Sequence, residues 1–307
     1  MLRSFQLGAV RSSLARVAGA GGCSVRGKVT RVGGKKTDES RVVVITSGKG
    51  GVGKTTTAAS FAYGLASHGY RTVVIDFDIG LRNLDIHLGC ERRVIFDFVN
   101  VIAEECTLRQ ALIKDKREPN LYLLAASQTK DKDSLTEEGV ERVLEALKPD
   151  FDFIICDSPA GIEAGARHAM YFADEAVICT NPELSSCRDS DKIVGLIASS
   201  AKKVVEGRGD VDMSLLITRY DPERVAASDS LSMDDIEEML GLPLLGVVPD
   251  SKDVLTSSNM GQPVAMATET DAGRAYGDIV KRFLGEDVPM RFTTYEPKGF
   301  LARVFGS

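Results

Sequence analysis

The chain lacks the side-chain groupings that build most metal centres. Its six cysteines (Cys23, Cys90, Cys106, Cys156, Cys179, Cys187) include no C-x-x-C pair, and its three histidines (His68, His87, His168) stand without ligand spacing. A zinc or iron-sulfur site is therefore not expected, and the thiols read as free, mostly buried side chains of a reducing compartment. No apolar run reaches the roughly 18 residues that span a bilayer, which excludes a transmembrane segment. Acidic residues are missing altogether from residues 1 to 36, which hold eight basic ones (Arg3, Arg11, Arg16, Arg26, Lys28, Arg31, Lys35, Lys36). Without those eight the formal charge of −6 becomes −14. So acidic a body leaves no basic footprint for duplex nucleic acid, and no nucleic-acid partner is expected.

What is present is an ordinary globular composition, 43% apolar and 27% charged, in 307 residues. The leader, residues 1 to 40, is rich in Ser, Ala and Gly and opens with Leu2, Phe5, Leu7, Val10 and Leu14 among arginines. This pattern reads as an organelle transit peptide, with a disordered basic arm as the alternative. From residue 41 onward β-branched runs alternate with helical stretches: RVVVITS, RTVVIDF, LYLLAA, FDFIICD, EAVICTN, MSLLITR and PLLGVVP. Strands so apolar, separated by helices, predict an α/β domain over 41 to 285. Its sheet is doubly wound and mostly parallel, of about seven to eight strands, with helices on both faces. Residues 286 to 297 read as a linker.

Ligands of such sheets sit beyond the carboxyl ends of the strands. Directly after the first strand comes SGKGGVGKTT, a match to the P-loop pattern from Gly48 to Thr55. Gly48, Gly50, Gly51 and Gly53, with Val52 among them, let backbone N–H groups wrap an anion at the start of a helix. Lys54 is placed to neutralise β- and γ-phosphates and the Thr55 hydroxyl to hold Mg²⁺. Three carboxylates end strands at the same edge. Asp157 is placed for the metal, and Asp76 and Asp78 lie on a neighbouring strand end, where one could orient the attacking water. Lys49 is one lysine more than the loop requires.

At the other end, KGFLARVFGS puts Phe300, Leu301, Val304 and Phe305 on one face of a helix over 298 to 307, with Lys298 and Arg303 available to anionic lipid. Burying those four side chains is worth roughly 6 to 12 kcal/mol. Ordering about eight residues costs roughly 8 to 16 kcal/mol, so a single tail is marginal.

Taken together, SGKGGVGKTT, VIDFDIGLRNLDIHLGCERR, QALIKDKR, ASQTKDKDSLT, FIICDSPAGIE and FADEAVICTNPELSSCRDSDK resemble the MinD family of septum-site-determining ATPases, within the ParA/MinD class of dimerising P-loop ATPases. The resemblance covers about residue 41 to the end. It implies ATP and Mg²⁺ as cofactors, an ATP-bound homodimer, anionic membrane lipid as a partner, and regulators like MinC and MinE. It implies that Gly48 to Thr56 hold the phosphates, that Lys49 reaches the phosphates of the other subunit, that Thr55 and Asp157, with Asp76 beside them, serve the metal, and that Asp78 serves the water. Asn83 resembles a residue that reads the nucleotide across the dimer, Arg219, Pro249 and Asp250 fall at the base, and Glu163 and Asp189 match positions linked to the switch and to regulators. A ParA-like partition ATPase is the alternative function. With the leader, the resemblance points to the matrix face of the mitochondrial inner membrane, peripherally bound. The plastid stroma or inner envelope is the alternative, disfavoured because IDFDIG differs from the plastid form.

Overall fold

The computed structural model describes residues 39–131 and 134–294. Eight strands form one sheet: β1 (Arg41–Thr46), β2 (Thr72–Asp76), β3 (Ile113–Lys114), β4 (Leu121–Leu124), β5 (Phe153–Asp157), β6 (Glu175–Thr180), β7 (Asp212–Tyr220) and β8 (Leu244–Pro249). Their order is β3-β4-β2-β5-β1-β6-β7-β8. Every neighbouring pair is parallel except β3 with β4. The doubly wound, mostly parallel sheet is thus as the residue pattern predicts.

Strand residues alternate between two cores. Along β1, Val43 and Ile45 face one apolar cluster while Val42 and Val44 face the other, and along β5 Phe153 and Ile155 oppose Ile154 and Cys156. With both faces covered there is no polar face to the central strands, which is why they read as unbroken apolar runs. On one side lie α1 (Lys54–Ser67) and the helix Asp271–Phe283, where Phe61 meets the Phe283 ring edge-on at 4.8 Å. The other side carries the helices Glu137–Leu147, Ala164–Tyr171 and Leu184–Ser200. A smaller cluster joins β7 and β8 to the helix Met233–Leu240.

The strand not anticipated is β3. Its two residues pair antiparallel with Tyr122 and Leu123 at the sheet edge. So short an element has no period to read, and its existence depends on the partner strand. Residues 286–294, expected as linker, carry no helix or strand but are fastened to the domain. Arg282 donates to Val288 O and Pro289 O, Arg291 pairs with Asp278 at 2.9 Å, and Phe292 packs on the core. The leader before residue 39 and the tail helix expected over 298–307 lie outside the described residues. No described helix is long and apolar enough to cross a membrane.

Candidate functional site

The loop between β1 and α1 sits where β1 is flanked by β5 on one side and β6 on the other, the point at which the winding of the sheet reverses. Gly51 and Gly53 hold φ of 75° and 93°, a region glycine enters without steric cost. Gly53 caps α1 without any side-chain bond, so the amides of the first turn remain available to an anion, and no acidic side chain opposes one there. Gly48 is glycine for a different reason. A Cβ there would lie 2.2 Å from the backbone carbon of Asp189, so the helix Leu184–Ser200 packs directly on the loop.

Beneath the loop the polar contacts are mutual. The Lys54 ammonium donates to Ser47 Oγ (2.9 Å), whose hydroxyl donates to Lys49 O (2.7 Å). Thr218, buried near the end of β7, donates its hydroxyl to Val52 O (2.6 Å) and lies 2.9 Å from the Asn181 side-chain amide, bracing the loop from behind. Burial pulls the Lys54 ammonium below its ordinary range, with the Asp157 carboxylate opposing. Asp76 and Asp157 are register partners on β2 and β5, both buried. Burial lifts the Asp76 carboxyl to about 7 even though it accepts N–H bonds from Asp78 (2.9 Å) and Leu84 (3.2 Å). Burial, reinforced by Asp76, raises Asp157 well above the carboxylate range, against the Thr55 hydroxyl and Lys54. One Asp157 oxygen, Oδ1, has no hydrogen-bond partner among the described residues.

Two cavities meet over this loop. The first, of about 490 Å³, is lined by Gly50, Gly51, Gly53, Lys54, Thr55 and Thr56. Asp78, Asn83, Glu163 and Arg219 close it, with Leu81, Ser158, Pro159 and Ala160. The second, of about 560 Å³, shares Gly53, Thr56 and Arg219 with it and adds Val52, Pro249 and Asp250. Thus most of the expected site residues share one continuous edge of the sheet. Arg219, at φ 53°, belongs to both cavities rather than to the second alone.

Lys49 does not line either cavity. Its ammonium bonds Glu183 Oε2 (2.8 Å) and Ser185 Oγ (3.3 Å) on the exposed side of the loop. Asp189 also stands outside, its side chain paired with Lys192 (3.0 Å) while its backbone meets Gly48. Sequence reading missed Ser47, Asn181, Glu183 and Thr218. Asn181 and Thr218 carry a signal that was available, since both follow or end a strand at the ligand edge. It missed as well the second cavity's wall of Ser251, Leu255, Ser258 and Tyr276, whose residue types announce nothing. The buried thiols of Cys90, Cys156, Cys179 and Cys187 are all pushed up by burial, and none belongs to the site.

A parallel sheet with a phosphate loop at its switch point, a buried loop lysine and paired carboxylates below it defines a P-loop nucleotide-binding protein. The family model described as AAA domain matches residues 40–206. The septum site-determining protein MinD of Escherichia coli is 60% identical over 268 residues, spanning 87% of this chain and 99% of that protein. Among solved structures, the MinC:MinD cell division protein complex of Aquifex aeolicus superposes with a TM-score of 0.72 at 35% identity, covering 83% of this chain and 100% of that one. MinD of Pyrococcus horikoshii complexed with Mg-ADP gives 0.68 at 26% identity, covering 79% and 95%. The chain belongs to the MinD family and is an ATPase.

These relatives correct one expectation. The matching proteins of high identity come from Escherichia coli and other bacteria. They overturn the assignment to the mitochondrial matrix or plastid stroma, which rested on an arginine-rich leader. Such a leader is a charge pattern shared with basic arms of other purpose and names no compartment by itself.

Proposed function

We propose that this ATPase closes into a homodimer when two copies hold ATP, attaches to anionic membrane through residues 298–307, and helps position the division site, with hydrolysis releasing it. The observation that supports this most is the orientation of Lys49. A cation directly in the phosphate loop, yet turned from its own cavity onto the exposed face, is suited to a phosphate presented by a second copy. Lys54 would neutralise charge on the β- and γ-phosphates from below. Asp78, at the cavity wall, would orient the attacking water, and Lys49 of the twin would meet the charge that develops on the transferred oxygens. Asn83 and Arg219 would read the nucleotide, with Pro249 and Asp250 at the base. Glu163, on the cavity rim, and Asp189, behind the loop, would pass nucleotide state to regulators like MinC and MinE.

The residues fit a magnesium ion. Among the described residues no cluster of three His, Cys, Asp or Glu side chains forms an all-protein cage. Magnesium at a phosphate site characteristically takes one or two carboxylates and fills its shell with water and phosphate oxygens. Thr55 and Asp157 would hold it, with Asp76 behind, and the unpartnered Asp157 Oδ1 is the kind of buried oxygen such an ion satisfies. Bound there, the ion would offset the negative charge of the phosphates.

The raised carboxyls give this a signed consequence. Asp76, lifted to about 7, and Asp157 bind protons that a dication must displace. Magnesium-dependent ADP affinity will therefore fall as pH drops from about 8 to about 6, by up to about tenfold per unit for each proton displaced. Calorimetric titration across that range measures it, and Asp76→Asn should flatten the slope. For the dimer, light scattering with a non-hydrolysable ATP analogue should show the mass double, while ADP leaves it single. An unchanged mass with both ligands would sink the proposal.

A further inference from the structure

Arg117, the last residue of QALIKDKR, lies in the turn between β3 and β4 and lines neither cavity. Its guanidinium nevertheless joins the elements that build both. Nη1 donates to Gly261 O (2.8 Å) and Nη2 to Leu88 O (2.7 Å). Leu88 caps α2 (Leu84–His87), which begins immediately after Asn83 in the wall of the first cavity. Gly261 follows the helix Lys252–Asn259, whose Leu255 and Ser258 line the second.

Asp115 backs the guanidinium, with Oδ2 at 3.0 Å from Nη2, and its Oδ1 accepts the N–H groups of Arg117 (2.7 Å) and Glu118 (3.0 Å). Burial alone would raise the Asp115 carboxyl, but the bonds from Arg117 outweigh it and hold the group below its ordinary range. The same seam is closed twice more. Gly89 and Gly261 meet backbone to backbone: a Cβ on the first would lie 2.6 Å from Gly261 O, and one on the second 2.7 Å from Gly89 Cα. Their φ values of 59° and 61° also favour glycine. Nearby, Ser258 Oγ and His87 Nδ1 share a hydrogen bond of 3.1 Å. Three contacts of this kind leave the two elements little freedom to slide past one another.

We propose that Arg117 is a positioning residue that locks α2 to the second cavity's helix, so that a nucleoside seated against Leu255 and Ser258 fixes Asn83 and Asp78 beside the phosphates. This rests on reading the two cavities as one nucleotide site, phosphates in the first and nucleoside in the second. The fork matters: a lysine at 117 keeps the charge but lacks the planar pair of donors that reaches two carbonyls while backed by a carboxylate. A bare phosphate chain, filling only the first cavity, would leave the lock without its trigger.

Hydrogen exchange of the full chain with ADP and with inorganic pyrophosphate tests this, followed in peptides covering residues 84–90 and 48–56. In the native chain ADP should slow exchange at 84–90 about tenfold more than pyrophosphate does, within the ordinary range of coupling between two sites. In Arg117→Lys that difference should shrink to about twofold or less while ADP still protects 48–56. A native-size difference in the variant overturns the proposal, and so does its absence in the native chain, a comparison that needs no variant to fold. If ADP leaves 48–56 unprotected in the native chain, the nucleotide-site reading fails and takes the proposal with it.

Discussion

With Lys49 replaced by Ala, ATP turnover falls by about a thousandfold, the loss typical when a single cation or donor aimed at the transferred group is removed. Binding of ATP to the isolated subunit changes by no more than about threefold, because a cation that acts only across a closed dimer contributes nothing to the open monomer. The pair that Lys49 makes with Glu183 does not oppose this. Both side chains are about half exposed (42% and 52%), and an ion pair so open to water is worth about 1 kcal/mol or less, so the ammonium is free to change partners. Lys54→Ala should behave differently. That ammonium is buried against Ser47 beneath the loop, and its loss should weaken nucleotide binding itself. Radiometric turnover beside fluorescent nucleotide binding separates the two lysines. If Lys49→Ala weakens monomer binding and turnover together, Lys49 serves its own nucleotide.

Removing residues 298–307 will release the protein from anionic vesicles while leaving ATP binding unchanged. On the proposed reading the tail's apolar gain and its ordering cost nearly cancel, so a lone copy would hold weakly. Two tails on the proposed dimer would bind as a linked pair, and avidity would rise by about a hundredfold or more. Truncation should therefore lower ATP-dependent vesicle sedimentation by at least about that factor, and the intact chain with ADP should resemble the truncated one with ATP. Attachment that survives truncation would move the lipid contact onto the globular domain.

The fold was legible because parallel strands buried on both faces leave uninterrupted apolar runs, and because Gly48 to Thr55 can sit only after a strand and before a helix. The carboxylates were legible for a related reason: Asp76 and Asp157 end apolar strands at one edge, with Asp78 two residues beyond, and the sheet brings such ends together whatever the loops do. Legibility failed where tertiary contact alone decides. Nothing in LIKDKR marks β3 as a strand, or Arg117 as a bridge to Gly261, 144 residues away. Glu183, which holds Lys49, is a common helix-start residue until the loop folds against it. The leader misled because arginine spacing reports charge and amphipathicity, whereas a destination is read by a receptor.

The proposed dimeric site is tested most directly by mixing the two chains Lys49→Ala and Asp78→Ala, each expected to be inactive alone, and measuring ATP turnover. In a two-fold dimer of one chain of each kind, the site holding Asp78 receives Lys49 from its neighbour, so activity should return to about one quarter of the native rate at equal mixing. If the mixture stays as inactive as either chain alone, Lys49 does not act across the dimer.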